Sequence, residues 1–223
     1  MTLKGLYAVT PDWNDSKRLL ASTEAILAGG CRILQYRNKT TSDCHRQEQA
    51  GALRALTRRH GALLIVNDSV DLALQVEADG VHLGGDDGDL AAARQRLGPG
   101  KILGASCYDD LALAHQAQAA GVDYVAFGSF FPSQVKPDAR RASLDLLQAA
   151  RRELTLPICA IGGIDLGNAG PLVAAGADML AVISALYEAS DPRAIAERFA
   201  SLFALSPNSL PGGREGRSVA TRR

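Results

Sequence analysis

The segment Gln35-Tyr36-Arg37-Asn38-Lys39 holds the side chains best suited to chemistry. Alternate residues of an extended strand share a face, so Gln35, Arg37 and Lys39 project together. Two cations without counter-charge are costly on an enclosed surface and call for an anion. Arg brings a forked array of donors and Lys a point charge, a pairing suited to phosphate or diphosphate. The alternative is a strip of exposed charge bound to neighbouring helices. Further on stand Asn67-Asp68 and Gly84-Gly85-Asp86-Asp87. With a diphosphate nearby, Asp68 and Asp87 would suit Mg²⁺, which takes one or two carboxylates plus phosphate oxygens and water. Both also precede helix-like stretches, so simple capping stays open, and Asp86 reads as a cap or a solvent-facing residue. A long segment from Phe127 to Pro137 offers Ser133 and Lys136 to the same anion. Its Phe130, Phe131 and Pro132 would exclude water from the site or merely pack the loop. Gly162-Gly163-Ile164 and Val182-Ile183-Ser184 suggest a second anion site, where glycine lets backbone N–H groups approach a phosphate.

These residues are useful only if one framework gathers them. Short aliphatic runs alternate with Ala/Leu-rich stretches along nearly the whole chain. Strands are expected at 6–10, 33–37, 63–67, 80–83, 102–105, 124–128, 158–161 and 179–183. Helices are expected at 16–28, 42–60, 70–76, 90–97, 109–120, 144–153, 166–174 and 192–203. Several strands are almost wholly apolar, as parallel strands covered on both faces must be. Glycines stand where helices should close, before the next strand. Eight such units predict an α/β fold, a single-domain (β/α)₈ TIM barrel over 1–203, with an open doubly wound sheet as the runner-up. That sheet would normally carry a glycine-rich dinucleotide loop after its first strand, and Thr10-Pro11-Asp12-Trp13-Asn14 is not one. Every candidate side chain then falls at the C-terminal ends of the strands, where barrels build their sites. From 204 to 223 Ser, Pro, Gly and Arg take over, and a disordered tail is expected.

With 223 residues, 47% hydrophobic and 22% charged, the chain is ordinary for a globular enzyme, and its net charge is zero. That balance gives no footprint for nucleic acid or a membrane surface. No apolar run reaches the ~20 residues that span a bilayer. No secretion signal is legible, so a cytoplasmic address is expected. The four cysteines (Cys31, Cys44, Cys107, Cys159) lack metal or redox spacing and are expected as reduced, mostly buried thiols. Cys107 is the one candidate for a reactive thiol. His45, His60 and His115 read as surface helix residues, and His82 as a packing or hydrogen-bonding residue of the fourth strand. No Ser–His–Asp set is visible.

In combination these motifs resemble the thiamine-phosphate synthase family. They are Gln35-Tyr36-Arg37-x-Lys39, Asn67-Asp68, Gly80-Val81-His82-Leu83-Gly84-x-x-Asp87, Gly104-x-Ser106, Gly128-x-x-Phe131-Pro132-Ser133-x-x-Lys136, Gly162-Gly163-Ile164 and Val182-Ile183-Ser184. The resemblance runs from about Leu6 to Phe203. It implies joining of a hydroxymethylpyrimidine diphosphate to a thiazole phosphate, with Mg²⁺ required and pyrophosphate released. It implies that Arg37, Lys39, Asn67 and Lys136 grip the diphosphate and that Asp68 and Asp87 hold Mg²⁺. Gln35 and Ser106 would lie near the pyrimidine and leaving group. Gly163, Ile183 and Ser184 would contact the thiazole phosphate, with Ser133 nearby. The implied partners are small molecules alone, with a homo-oligomer left open. A related barrel that only isomerises or binds thiazole phosphate is the alternative; the diphosphate and metal set speaks against it. Two positions depart from the family pattern. Val135 replaces a usual hydroxyl residue, and Gly85 replaces a usual Gln.

Overall fold

The structure, a computed structural model, describes residues 3–85, 87–132 and 141–204. Eight parallel strands close a barrel in sequence order. They are β1 (Gly5–Val9), β2 (Ile33–Tyr36), β3 (Leu63–Asn67), β4 (Gly80–Leu83), β5 (Ile102–Tyr108), β6 (Tyr124–Phe127), β7 (Ile158–Ile161) and β8 (Met179–Val182). The helices are α1 (Ser16–Ala28), α2 (Asp43–Arg59), α3 (Val70–Gln75), α4 (Leu90–Leu97), α5 (Leu111–Ala119), α6 (Leu144–Glu153), α7 (Ala169–Ala174), α8 (Ser184–Tyr187) and α9 (Pro192–Ala204). The expected (β/α)₈ barrel is therefore present. Among the described residues no helix is long and apolar enough to cross a membrane. Residues 205–223, where a tail was expected, lie outside the described residues.

Short polar side chains start most of the helices. Asp15, Ser42, Ser69, Asp89, Asp110 and Ser143 each accept from a backbone N–H of the first turn. Three elements differ from expectation. Helix α7 begins at Ala169 rather than 166, because Asp165 and Asn168 bind the local backbone. Asp165 Oδ1 accepts from the N–H groups of Gly167 and Asn168, and Asn168 Oδ1 accepts from Asp165 N–H. Strand β5 runs on to Tyr108 through a register shift against β6 between Ser106 and Tyr108. The short α8, which no apolar periodicity announced, follows β8 at once.

The apolar side chains fall into two layers, as the alternation of a strand requires. Outward residues such as Leu34, Leu64, Val81, Leu103, Val125, Ala160 and Leu180 pack against the helices. Inward residues, among them Tyr7, Ile33, Ile65, Tyr124, Cys159 and Met179, fill the lumen.

The N-terminal face of the barrel repeats one device three times. Asp79, Asp123 and Asp178 stand immediately before β4, β6 and β8. Each accepts from a backbone N–H of the preceding strand: Leu64 at 2.7 Å, Leu103 at 2.7 Å and Ile158 at 2.9 Å. Each also pairs with an arginine of the helix before that preceding strand, Arg54 of α2, Arg94 of α4 and Arg151 of α6 in turn. Before β2 the corresponding residue is Arg32, whose guanidinium instead donates to the carbonyls of Leu27 and Cys31. Conserving strand–helix spacing at this face leaves the opposite rim free to carry chemistry.

Candidate active site

At the C-terminal rim β2 delivers its polar residues as the alternation predicts. Tyr36 and Asn38 turn outward: Tyr36 Oη donates to Gln49 Oε1 at 2.9 Å, and Asn38 Nδ2 donates to the same oxygen at 3.2 Å. Gln35 turns into the lumen, buried against Tyr7. Arg37 and Lys39 are not unpaired, which corrects the expectation. Asp12, in the loop after β1, binds Arg37 Nη1 through Oδ2 at 2.7 Å and the Lys39 N–H through Oδ1 at 2.8 Å. Thr10, fully buried, locks the same two loops by donating to the Arg37 carbonyl at 2.7 Å and accepting from its N–H at 2.8 Å. Lys39 Nζ reaches Asp68 Oδ2 at 2.9 Å.

Neither acidic residue caps a helix. Ser69 caps α3 and Asp89 caps α4. Asp68 instead takes a left-handed backbone (φ 63°), its N–H bonded to the His82 carbonyl at 2.9 Å. A non-glycine residue held there is strained, and such strain gathers at functional sites. Asp87 Oδ2 accepts from Gly84 N–H at 2.7 Å, and its carboxyl lies within hydrogen-bonding reach of Asp68. Its pKa is raised, first by desolvation and then by the Asp68 carboxyl. Two carboxylates crowded together, with one lysine against them, form a donor set of hard oxygens. Among the described residues no cluster of three or more metal-type ligands occurs. Two carboxylates fit Mg²⁺ when phosphate oxygens and water complete its shell. Asn67, Lys39, Asp68 and Arg46 line a cavity of about 320 Å³ beside these groups. Among the described residues, the Nε of Arg46 is one of the few buried polar atoms without a partner.

On the far side of the rim, β7 and β8 are neighbours, so Gly162-Gly163 and Ile183-Ser184 are adjacent. The glycines have a packing reason. A Cβ on Gly162 would run into Ser129, and one on Gly163 into Phe131 and Pro132. Residues 129–132, which follow β6, thus lie directly on the loop after β7, with Phe131 N–H donating to the Gly162 carbonyl at 3.0 Å. Phe130 is buried there. Ser133, Val135 and Lys136 lie outside the described residues, as does Asp86.

Residues 6–186 match the model of the family described as Thiamine monophosphate synthase. The chain belongs to the thiamine monophosphate synthase family. It is 58% identical over 201 residues to the thiamine-phosphate synthase of Methylobacillus flagellatus, covering 90% of this chain and 96% of that one. To the thiamine-phosphate synthase of Janthinobacterium sp. it is 52% identical over 202 residues, covering 91% and 98%. Among solved structures, thiamine phosphate pyrophosphorylase from Pyrococcus furiosus superposes with a TM-score of 0.82 at 37% identity, covering 91% of this chain and 96% of that one. The chain is accordingly an enzyme of the transferase class.

Within this thiamine monophosphate synthase barrel, Arg37, Lys39, Asn67, Asp68 and Asp87 come together on the ends of β2, β3 and β4. Ser106 stands on β5, while Gly163, Ile183 and Ser184 occupy the β7–β8 side. Sequence reasoning missed Asp12, although its position just after the first strand was a usable signal. It also missed Tyr108, which packs and hydrogen-bonds against Gly85. Tyr108 Oη accepts from Gly85 N–H at 3.0 Å, and its ring lies about 3.5 Å from where a Cβ of residue 85 would stand. That distance is an ordinary van der Waals contact, and nothing in the structure explains the glycine at 85. Cys107 is buried with its thiol pushed up to about 12, which removes it as a reactive nucleophile. Cys31, Cys107 and Cys159 are buried free thiols, and Cys44 is exposed.

Proposed function

We propose that the chain is a thiamine-phosphate synthase that joins 4-amino-2-methyl-5-(diphosphooxymethyl)pyrimidine to 4-methyl-5-(2-phosphoethyl)thiazole. The C–O bond between the pyrimidine methylene and the diphosphate breaks first, and its electron pair leaves with the diphosphate. The resulting pyrimidine cation is trapped by the thiazole nitrogen, whose lone pair forms the new C–N bond. The products are thiamine monophosphate and pyrophosphate. This chemistry asks for charge neutralisation and alignment rather than acid–base machinery.

The observation that carries the proposal is the meeting of Arg37 and Lys39 with Asp68 and Asp87 at one rim. In this role Arg37 and Lys39 exchange part of their hold on Asp12 and Asp68 for diphosphate oxygens. Asn67 and Lys136 add donors to the same group. Asp68 and Asp87 would hold Mg²⁺, which when bound supplies positive charge to the departing diphosphate. Gln35 and Ser106 orient the pyrimidine, and Gly163, Ile183, Ser184 and Ser133 receive the thiazole phosphate. Phe130 and the loop it anchors shield the cation from water.

The test is direct. Purified chain, both substrates and Mg²⁺ are incubated, and thiamine monophosphate and pyrophosphate are followed together. Equimolar formation of the two is expected, abolished by omitting either substrate or chelating the metal. Absence of both products, with thiazole phosphate still bound, would overturn the proposal in favour of a thiazole-phosphate binder.

A further inference from the structure

A chain of buried hydrogen bonds crosses the lumen beneath the rim. Gln35 Nε2 donates to the Tyr7 hydroxyl at 2.8 Å. The Tyr7 and Tyr124 hydroxyls are 2.8 Å apart. Tyr124 Oη lies 2.9 Å from His82 Nδ1, and His82 Nε2 lies 2.9 Å from Ser106 Oγ. The five side chains come from five strands, β2, β1, β6, β4 and β5. Four of them are buried, and Ser106, at the end, is half-exposed toward the mouth. Gly104 makes the crossing possible, because any Cβ there would collide with the Tyr124 ring.

The chain has a direction. Tyr7 already receives a hydrogen from Gln35, so its single proton must go to Tyr124 or stay unbonded in a buried place, which is expensive. Tyr124 then holds its own proton for His82 Nδ1. Burial raises the pKa of both tyrosines, so both remain protonated donors. An Nδ1 that accepts leaves the ring hydrogen on Nε2, where it is donated to Ser106 Oγ. The serine proton is then left for a group outside the chain. Reversing the first bond would reverse every later one and turn Ser106 into an acceptor.

We propose that this network holds His82 as its neutral Nε2–H tautomer and so presents the Ser106 hydroxyl as a hydrogen-bond donor to the substrate. Tyr7, Tyr124 and His82 are positioning residues; none gives up a proton in the reaction. The identity of the recipient, an acceptor atom of the pyrimidine diphosphate, rests on the proposed function above.

The experiment has two arms. In uniformly ¹⁵N-labelled full-length protein, long-range ¹H–¹⁵N correlation distinguishes the tautomers, with the His82 signals assigned by their loss in His82→Gln. Protonated Nε2 and bare Nδ1 are expected. Protonated Nδ1, whether alone or together with Nε2, would overturn the proposal. In the second arm, Tyr124→Phe is expected to lower kcat roughly tenfold, the effect of one hydrogen bond, with little change in KM. In a Ser106→Ala background the same change should cost clearly less, because the Tyr124–His82 part of the chain acts through Ser106. Equal losses in both backgrounds would overturn the proposal. His82→Gln, which can still donate to Ser106, should retain more activity than His82→Ala. The first arm needs no turnover: a chain that showed the expected tautomer but released no pyrophosphate would sink the synthase proposal alone.

Discussion

Replacing Asp87 with Asn should strengthen the metal-free fold while disabling the enzyme. Asp87 stands against Asp68 with a raised pKa, so at pH 8 two like charges are held together. Two unit charges ~4 Å apart repel by roughly 1 kcal/mol in water and roughly 4 kcal/mol at the effective dielectric of a protein surface. Asp87 is exposed, and Lys39 at 2.9 Å from Asp68 offsets part of the repulsion. The lower figure therefore governs. Asn retains the oxygen that accepts from Gly84 N–H, so the loop should persist. In EDTA the Asp87→Asn variant should melt about 2–4 °C above the parent, the shift that roughly 1 kcal/mol gives a chain of this size. The sign also fixes a pH dependence. A carboxyl whose folded pKa is raised lets the folded state bind more protons than the unfolded state, so stability falls as pH rises from the ordinary carboxylate value through the raised one. The parent should show this loss and the variant should not. Mg²⁺ should raise the melting temperature of the parent more than that of the variant, and turnover of the variant should fall by orders of magnitude. A variant that is less stable in EDTA and responds to Mg²⁺ like the parent would refute the pairing of the two carboxylates.

Asp79→Ala strips Arg54 and the Leu64 N–H of their shared partner at the opposite face, and should cost about 3 kcal/mol in urea unfolding with no loss of turnover per folded molecule. An unchanged urea midpoint would count against the repeated Asp–Arg device. Gly104→Ala pushes the Tyr124 ring aside, and should destabilise by about 1–3 kcal/mol as overpacked cores do and lower kcat as well; melting and kinetics on the same sample check both. Iodoacetamide at pH 8 should modify Cys44 alone in the native protein, because burial protects Cys31, Cys107 and Cys159 and raises the Cys31 thiol to about 11 and the Cys107 thiol to about 12. Mass spectrometry should count one adduct when native and four when unfolded.

The barrel was legible because each strand is short, apolar and followed by a polar turn and an Ala/Leu-rich helix, a pattern that depends on local sequence alone. The face shared by Gln35, Arg37 and Lys39 was legible for the same reason: strand alternation is rigid geometry. What failed depended on which loops meet. The counter-charge of Arg37 comes from Asp12, 25 residues away, and nothing local to either residue announces the pair. Capping by Asp68 and Asp87 stayed open because the choice turns on whether Ser69 and Asp89, one and two residues later, take the role, as they do. Tyr124 read as one more apolar strand residue, and its hydroxyl acquires meaning only when β1, β4 and β6 face one lumen. The glycines after β7 were read as an opening for phosphate, yet their missing side chains are explained by the loop lying on them.

Binding of pyrophosphate in the presence of Mg²⁺, measured by calorimetry on the full chain and on Arg37→Ala, tests the account most directly. The parent should bind one equivalent, and the variant should bind at least about 10-fold more weakly, the effect of losing a charged hydrogen bond. Equal affinity in the two proteins would contradict the claim that this rim holds a diphosphate.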